Sequence, residues 1–123
     1  MVVEDEDLVR QYVVTQLRTL GYSVLAVESG PEALEALDRH PEVSLLLTDV
    51  VMPGGMYGTA LAGAARRLRP GLDVLFTSGY SENALMQSSS LNPVWSLLRK
   101  PYNRAELAAK IRQVLDESGK RPR

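Results

Sequence analysis

Three acids, a hydroxyl and an ammonium stand at the ends of short apolar segments in this chain. Glu4 and Asp5 close the first such segment, Asp49 closes a longer one, Thr77 ends another and Lys100 follows the last. If those segments are parallel strands of one sheet, all of these groups meet at a single edge. Two ionised carboxylates about 4 Å apart repel by roughly 4 kcal/mol at an effective dielectric of about 20, so the cluster calls for a cation or for a proton kept on one acid. Oxygen ligands suit Mg²⁺ (or Mn²⁺), and Mg²⁺ prefers one or two carboxylates, several waters and a phosphate oxygen to an all-protein cage. Asp49 is then placed to act as a carboxylate nucleophile on a phosphoryl group, with the metal, Lys100 and the Thr77 hydroxyl neutralising the equatorial oxygens. The product of that chemistry is an aspartyl phosphate.

The elements that must position these groups can be read from periodicity. A strand over Met1 to Glu4 runs into the acidic cluster Glu4 to Asp7, and Leu8, Val9, Tyr12, Val13, Leu17 and Leu20 then recur at helical spacing until Gly21. Ser23 to Val27 reads as a strand, and Ser29-Gly30-Pro31 opens a helix with Ala33, Leu34 and Leu37 on its inner face. Ser44 to Asp49 is a nearly continuous apolar run ending in an acid, the pattern of a strand buried on both faces of a parallel sheet. After a Pro- and Gly-rich loop from Val50 to Gly58 come a helix near Thr59 to Leu68, a strand over Asp73 to Thr77, a short helix over Ser81 to Ser88, a polar loop to Pro93 and a strand around Trp95 to Leu98. Asn103 and Glu106 stand at capping-box spacing before the last helix, whose apolar positions are Leu107, Ile111, Val114 and Leu115. Strands alternating with helices imply right-handed crossovers and a doubly wound α/β sandwich, whose sites lie beyond the carboxyl ends of the strands.

Composition narrows the class. A chain of 123 residues with 45% hydrophobic and 24% charged content is one ordinary globular domain, expected over residues 1–118 with a frayed tail over 119–123. The absence of cysteine excludes a disulfide framework and a thiolate metal site. No apolar run approaches the roughly 20 residues of a membrane span, so a cytoplasmic domain without membrane contact is expected. A formal charge of −1 gives no general attraction to nucleic acid. Arg66, Arg67 and Arg69 read as a solvated helix face, and His40 as a solvated helix-terminal residue.

Glu4-Asp5, Asp49 with Met52-Pro53 after it, Thr77 and Lys100-Pro101 resemble the full signature of bacterial response-regulator receiver domains, over nearly the whole chain. The resemblance implies a flavodoxin-like (βα)5 fold with a five-stranded parallel sheet of order 2-1-3-4-5. It implies Asp49 as phosphoacceptor, Asp5 as a direct metal ligand with Glu4 nearby or acting through water, and the backbone carbonyl of Val51 as a further ligand. Thr77 and Lys100 would contact the phosphoryl group, which a sensor histidine kinase or a histidine phosphotransfer protein supplies. Met52-Pro53-Gly54-Gly55-Met56 and Phe76-Thr77-Ser78-Gly79-Tyr80 are similar to receivers of hybrid sensor histidine kinases.

Two positions depart from that pattern. Gly58 falls one residue later than the usual receiver spacing, and Leu97 stands where many receivers carry an inward-swinging aromatic. Both motivate an alternative, a degenerate receiver that serves only as a docking module. A hydrolase with an aspartyl nucleophile is disfavoured, since the second acid it needs two residues on is Val51 here. Gly54-Gly55 reads as turn chemistry, lacking a P-loop lysine pattern. Trp95 and Tyr102 read as packing residues or as a partner surface near the fifth strand. A weak homodimer through the fourth-to-fifth-helix face carries no sequence signal for or against it.

Overall fold

The computed structural model describes residues 1–50, 58–78, 96–99 and 102–117. Within them the chain forms β1 (Val2–Val3), α1 (Asp7–Thr19), β2 (Ala26–Val27), α2 (Gly30–Arg39), β3 (Leu45–Asp49), α3 (Gly58–Leu68), β4 (Asp73–Ser78), β5 (Ser96–Arg99) and α4 (Arg104–Glu117). Five strands make one sheet of order β2-β1-β3-β4-β5, parallel throughout. The expected flavodoxin-like order is therefore the observed one. Val51, Met52-Pro53, the helix expected over Ser81 to Ser88, the loop to Pro93, Trp95, Lys100-Pro101 and the tail over 119–123 lie outside the described residues.

Side-chain alternation along the strands sorts the core into two layers. Val3, Leu46, Val74 and Phe76 face α2 and α3, where Ala33, Leu37, Leu61, Ala62 and Ala65 cover them. Val2, Leu47, Leu75 and Leu98 face the other way, onto Val13 and Leu17 of α1 and Leu107, Ile111 and Leu115 of α4. Each buried Leu or Phe of this kind contributes about 1.5–3 kcal/mol relative to exposure. The small residues of α2 and α3 let those helices lie close against the sheet.

Helix ends follow their local chemistry. At the end of α1, Gly21 takes φ 96°, while its N–H donates to Arg18 O at 3.0 Å and that of Tyr22 to Leu17 O at 3.1 Å, the paired bonds of a Schellman motif. Ser29 caps α2 by accepting from Glu32 N at 3.3 Å. The box before α4 is reciprocal: Glu106 N donates to Asn103 Oδ1 at 2.8 Å and Asn103 N to Glu106 Oε1 at 3.2 Å.

Three expectations need correction. The strand expected over Ser23 to Val27 is ladder-paired only at Ala26–Val27, because its one partner, β1, is itself two residues long. Leu8 and Tyr12 do not belong to the inner face of α1: they are 79% and 53% exposed, displaced by about 100° per residue from the buried stripe through Val9, Val13 and Leu17. Arg69 is half-buried and more than a solvated face residue. Its guanidinium donates to the carbonyls of His40 at 3.3 Å, Pro41 at 2.6 Å and Val43 at 2.5 Å, fastening the α2–β3 connection. His40 is half-exposed, with Nδ1 3.0 Å from Glu42 Oε1, at the terminus of α2.

Candidate functional site at the carboxyl edge of the sheet

β1 and β3 are paired Val2 to Leu47 and Val3 to Thr48, a register that carries Glu4 toward Asp49 at the strand ends. Glu4 is buried, at 6% exposure, and Asp49 likewise at 9%. Asp5 follows on the solvent side. One carboxylate oxygen from each of Glu4, Asp5 and Asp49 lies within 4.8 Å of the others. Such a trio fits a hard divalent cation that takes carboxylates at about 2.0–2.1 Å and completes its shell with water.

β4 adds the hydroxyl. Asp49 pairs with Thr77 across the β3–β4 ladder, and Thr77 Oγ1 donates to Asp49 Oδ1 at 2.5 Å. The backbone repeats the link, with Val50 N donating to Thr77 O at 3.1 Å. Four of the residues singled out in the sequence, Glu4, Asp5, Asp49 and Thr77, are thus brought together. The other two, Val51 and Lys100, lie outside the described residues. Leu97 pairs with Phe76 and packs on the α2–α3 side of the sheet.

Three further residues shape this edge. Gly58 opens α3 with its N–H donated to Val50 O at 2.7 Å, and a Cβ built there would stand 1.9 Å from Asp49 O. Only glycine admits that approach, so the late Gly58 of the sequence is the residue that lets α3 start against the Asp49 backbone. Tyr102 packs on the core beneath α1 and α4 and, with Glu4, Asp49 and Thr77, walls a crevice of about 20 Å³, room for a water. Burial first, and then the charges of Asp49, Glu4 and Tyr12, push its phenol up to about 12. Arg10 is the third, donating to the Glu4 backbone carbonyl at 2.9 Å. Its signal in the sequence was the spacing from Asp7, three residues earlier on the same helix turn. A larger cavity of about 330 Å³ lies at the opposite, amino end of the sheet, among Val24, Leu45 and Ile111, away from the acids.

A doubly wound parallel sheet with acids and a hydroxyl gathered at its carboxyl edge is the architecture of a signalling receiver. The sequence pattern of the response regulator receiver domain matches residues 1–112, and the chain belongs to that family. It is 36% identical over 118 residues to the sensor kinase CckA of Brucella abortus, covering 95% of this chain and 12% of that protein. It is 35% identical over 115 residues to the response regulator receiver protein CpdR of the same organism, covering 94% of both. Among solved structures, a response regulator receiver protein from Sinorhizobium medicae superposes with TM-score 0.84 at 27% identity, covering 95% of this chain and 93% of that one. The chain thus corresponds to nearly the whole of a free-standing receiver and to about an eighth of a sensor kinase. No helix among the described residues is long and apolar enough to cross a membrane.

Proposed function

We propose that this receiver is a phosphoacceptor switch in which Asp49 takes a phosphoryl group from a phosphohistidine. The donor is a sensor histidine kinase or a histidine phosphotransfer protein. An Asp49 carboxylate oxygen attacks phosphorus, the P–N bond breaks, and the departing imidazole takes up a proton. Asp5, Asp49 and the Val51 carbonyl would hold Mg²⁺ (or Mn²⁺), with Glu4 nearby or acting through water, and the ion would supply charge that offsets that of the transferring group. Lys100 and the Thr77 hydroxyl contact its remaining oxygens.

The observation that carries this reading is the position of Asp49: at the end of the central strand, bonded to a hydroxyl at 2.5 Å, with two further carboxylates within 4.8 Å. Phosphorylation gives Thr77 a new acceptor, and its turn from carboxylate to phosphoryl oxygen is the local step that biases the β4 side of the domain. The domain spans residues 1–118, works in the cytoplasm, and contacts neither nucleic acid nor membrane directly.

Phosphotransfer from a purified phosphohistidine protein tests the reading. Label should pass to the wild type and fail to pass to Asp49→Ala. A chain that binds the donor yet takes no label would be the degenerate docking module instead.

A further inference from the structure

Glu4 and Asp5 stand on a loop whose following helix starts without a side-chain cap. Glu6 stands at the N-cap of α1 and makes no capping hydrogen bond. Arg10 fastens this turn instead. Its Nη1 donates to the Glu4 carbonyl at 2.9 Å, its Nη2 is paired with Asp7 Oδ1, and Nη2 lies 3.6 Å from Glu28 Oε1 with 16% of the Arg10 side chain exposed. One guanidinium joins the end of β1, the first turn of α1 and the turn before α2. Glu4 is held from its other side as well, its N–H donating to Val27 O at 3.1 Å. Because the peptide unit is planar, fixing the Glu4 carbonyl fixes the plane that carries the Asp5 Cα.

We infer that Arg10 is a positioning residue for the divalent-cation site, its planar fork holding the Glu4 carbonyl so that Asp5 is aimed at the ion. This rests on the Mg²⁺ reading above. Charge and geometry predict opposite signs here, which makes the inference testable. A nearby cation repels Mg²⁺, so if Arg10 acted only as a charge its loss would tighten binding. If it acts by placement, its loss weakens binding. Lysine keeps the charge but lacks the fork that serves a carbonyl and a carboxylate together.

The experiment is a calorimetric titration of Mg²⁺ into the wild type, Arg10→Lys and Arg10→Met, with each protein also melted in chelator. The expected result is a dissociation constant raised about tenfold in Arg10→Lys, the lower end of what outer-shell partners of a metal contribute. Arg10→Met should lose at least as much, while Arg10→Lys melts in chelator close to the wild type. Unchanged affinity in Arg10→Lys, tighter binding in Arg10→Met, or an affinity loss matched by loss of the fold in chelator would each overturn the inference. A wild type that binds no Mg²⁺ would overturn the metal reading and this inference with it.

Discussion

Thr77 and Asp49 stand opposite one another on neighbouring strands, and the hydroxyl of the first is donated to the carboxylate of the second at 2.5 Å. Both are buried. The bond links the residue proposed to receive the phosphoryl group to the strand proposed to respond.

Thr77→Val keeps the branched shape and removes the donor. A hydrogen bond to a charged group is worth about 1.5–3 kcal/mol, and a loss of that order is expected in urea unfolding at neutral pH. Thr77→Ser should recover most of it. Equal stability of all three proteins would show that Asp49 is satisfied without Thr77.

Gly58→Ala places a methyl group where the Asp49 carbonyl lies, 1.9 Å away. Backbone must move to admit it, and overpacking of this kind costs about 1–3 kcal/mol. Thermal melting should show that loss, and phosphoryl uptake at Asp49 should slow, since the same backbone carries the carboxylate. A variant that melts as the wild type would refute the contact.

Tyr102 makes a prediction about alkaline pH. Its phenol is raised to about 12 by burial and by nearby carboxylates, above an unfolded value near 10. A raised folded pKa means that the folded state keeps the proton longer. The associated stability is complete below about pH 10 and is lost as pH rises toward about 12. Unfolding free energy followed through that window should fall less steeply in Tyr102→Phe. Parallel profiles would contradict the placement of Tyr102 beside Glu4 and Asp49.

Mg²⁺ should stabilise the domain, because a cation that binds only the folded cluster adds about 2.7 kcal/mol at a hundred times its dissociation constant. The melting temperature should rise with Mg²⁺ over that in chelator, and Asp5→Asn should shrink the rise. Identical melting with and without the ion would sink the metal site.

How much of this was legible beforehand depended on the kind of signal. The meeting of Glu4, Asp5, Asp49 and Thr77 follows from strand-ending polar residues in a βα alternation, a pattern written in residue types, whereas the strand order came from the resemblance to receiver domains. The Asn103–Glu106 box was legible for the same reason. Exposure of Leu8 and Tyr12 was not, because helical spacing admits two adjacent apolar stripes and only packing selects the one through Val13 and Leu17. The clamps of Arg10 and Arg69 were hidden too. The Arg69 acceptors and the Glu4 acceptor of Arg10 are backbone carbonyls, which every residue carries, so only the spacing of Arg10 from Asp7 leaves a side-chain trace.

The most direct measurement is intact-mass analysis after incubation with acetyl phosphate and Mg²⁺, beside Asp49→Ala and a Mg²⁺-free control. A gain of one phosphoryl group is expected in the wild type alone, and only when Mg²⁺ is present. No gain in the wild type, or a gain that persists in Asp49→Ala, would contradict Asp49 as the phosphoacceptor.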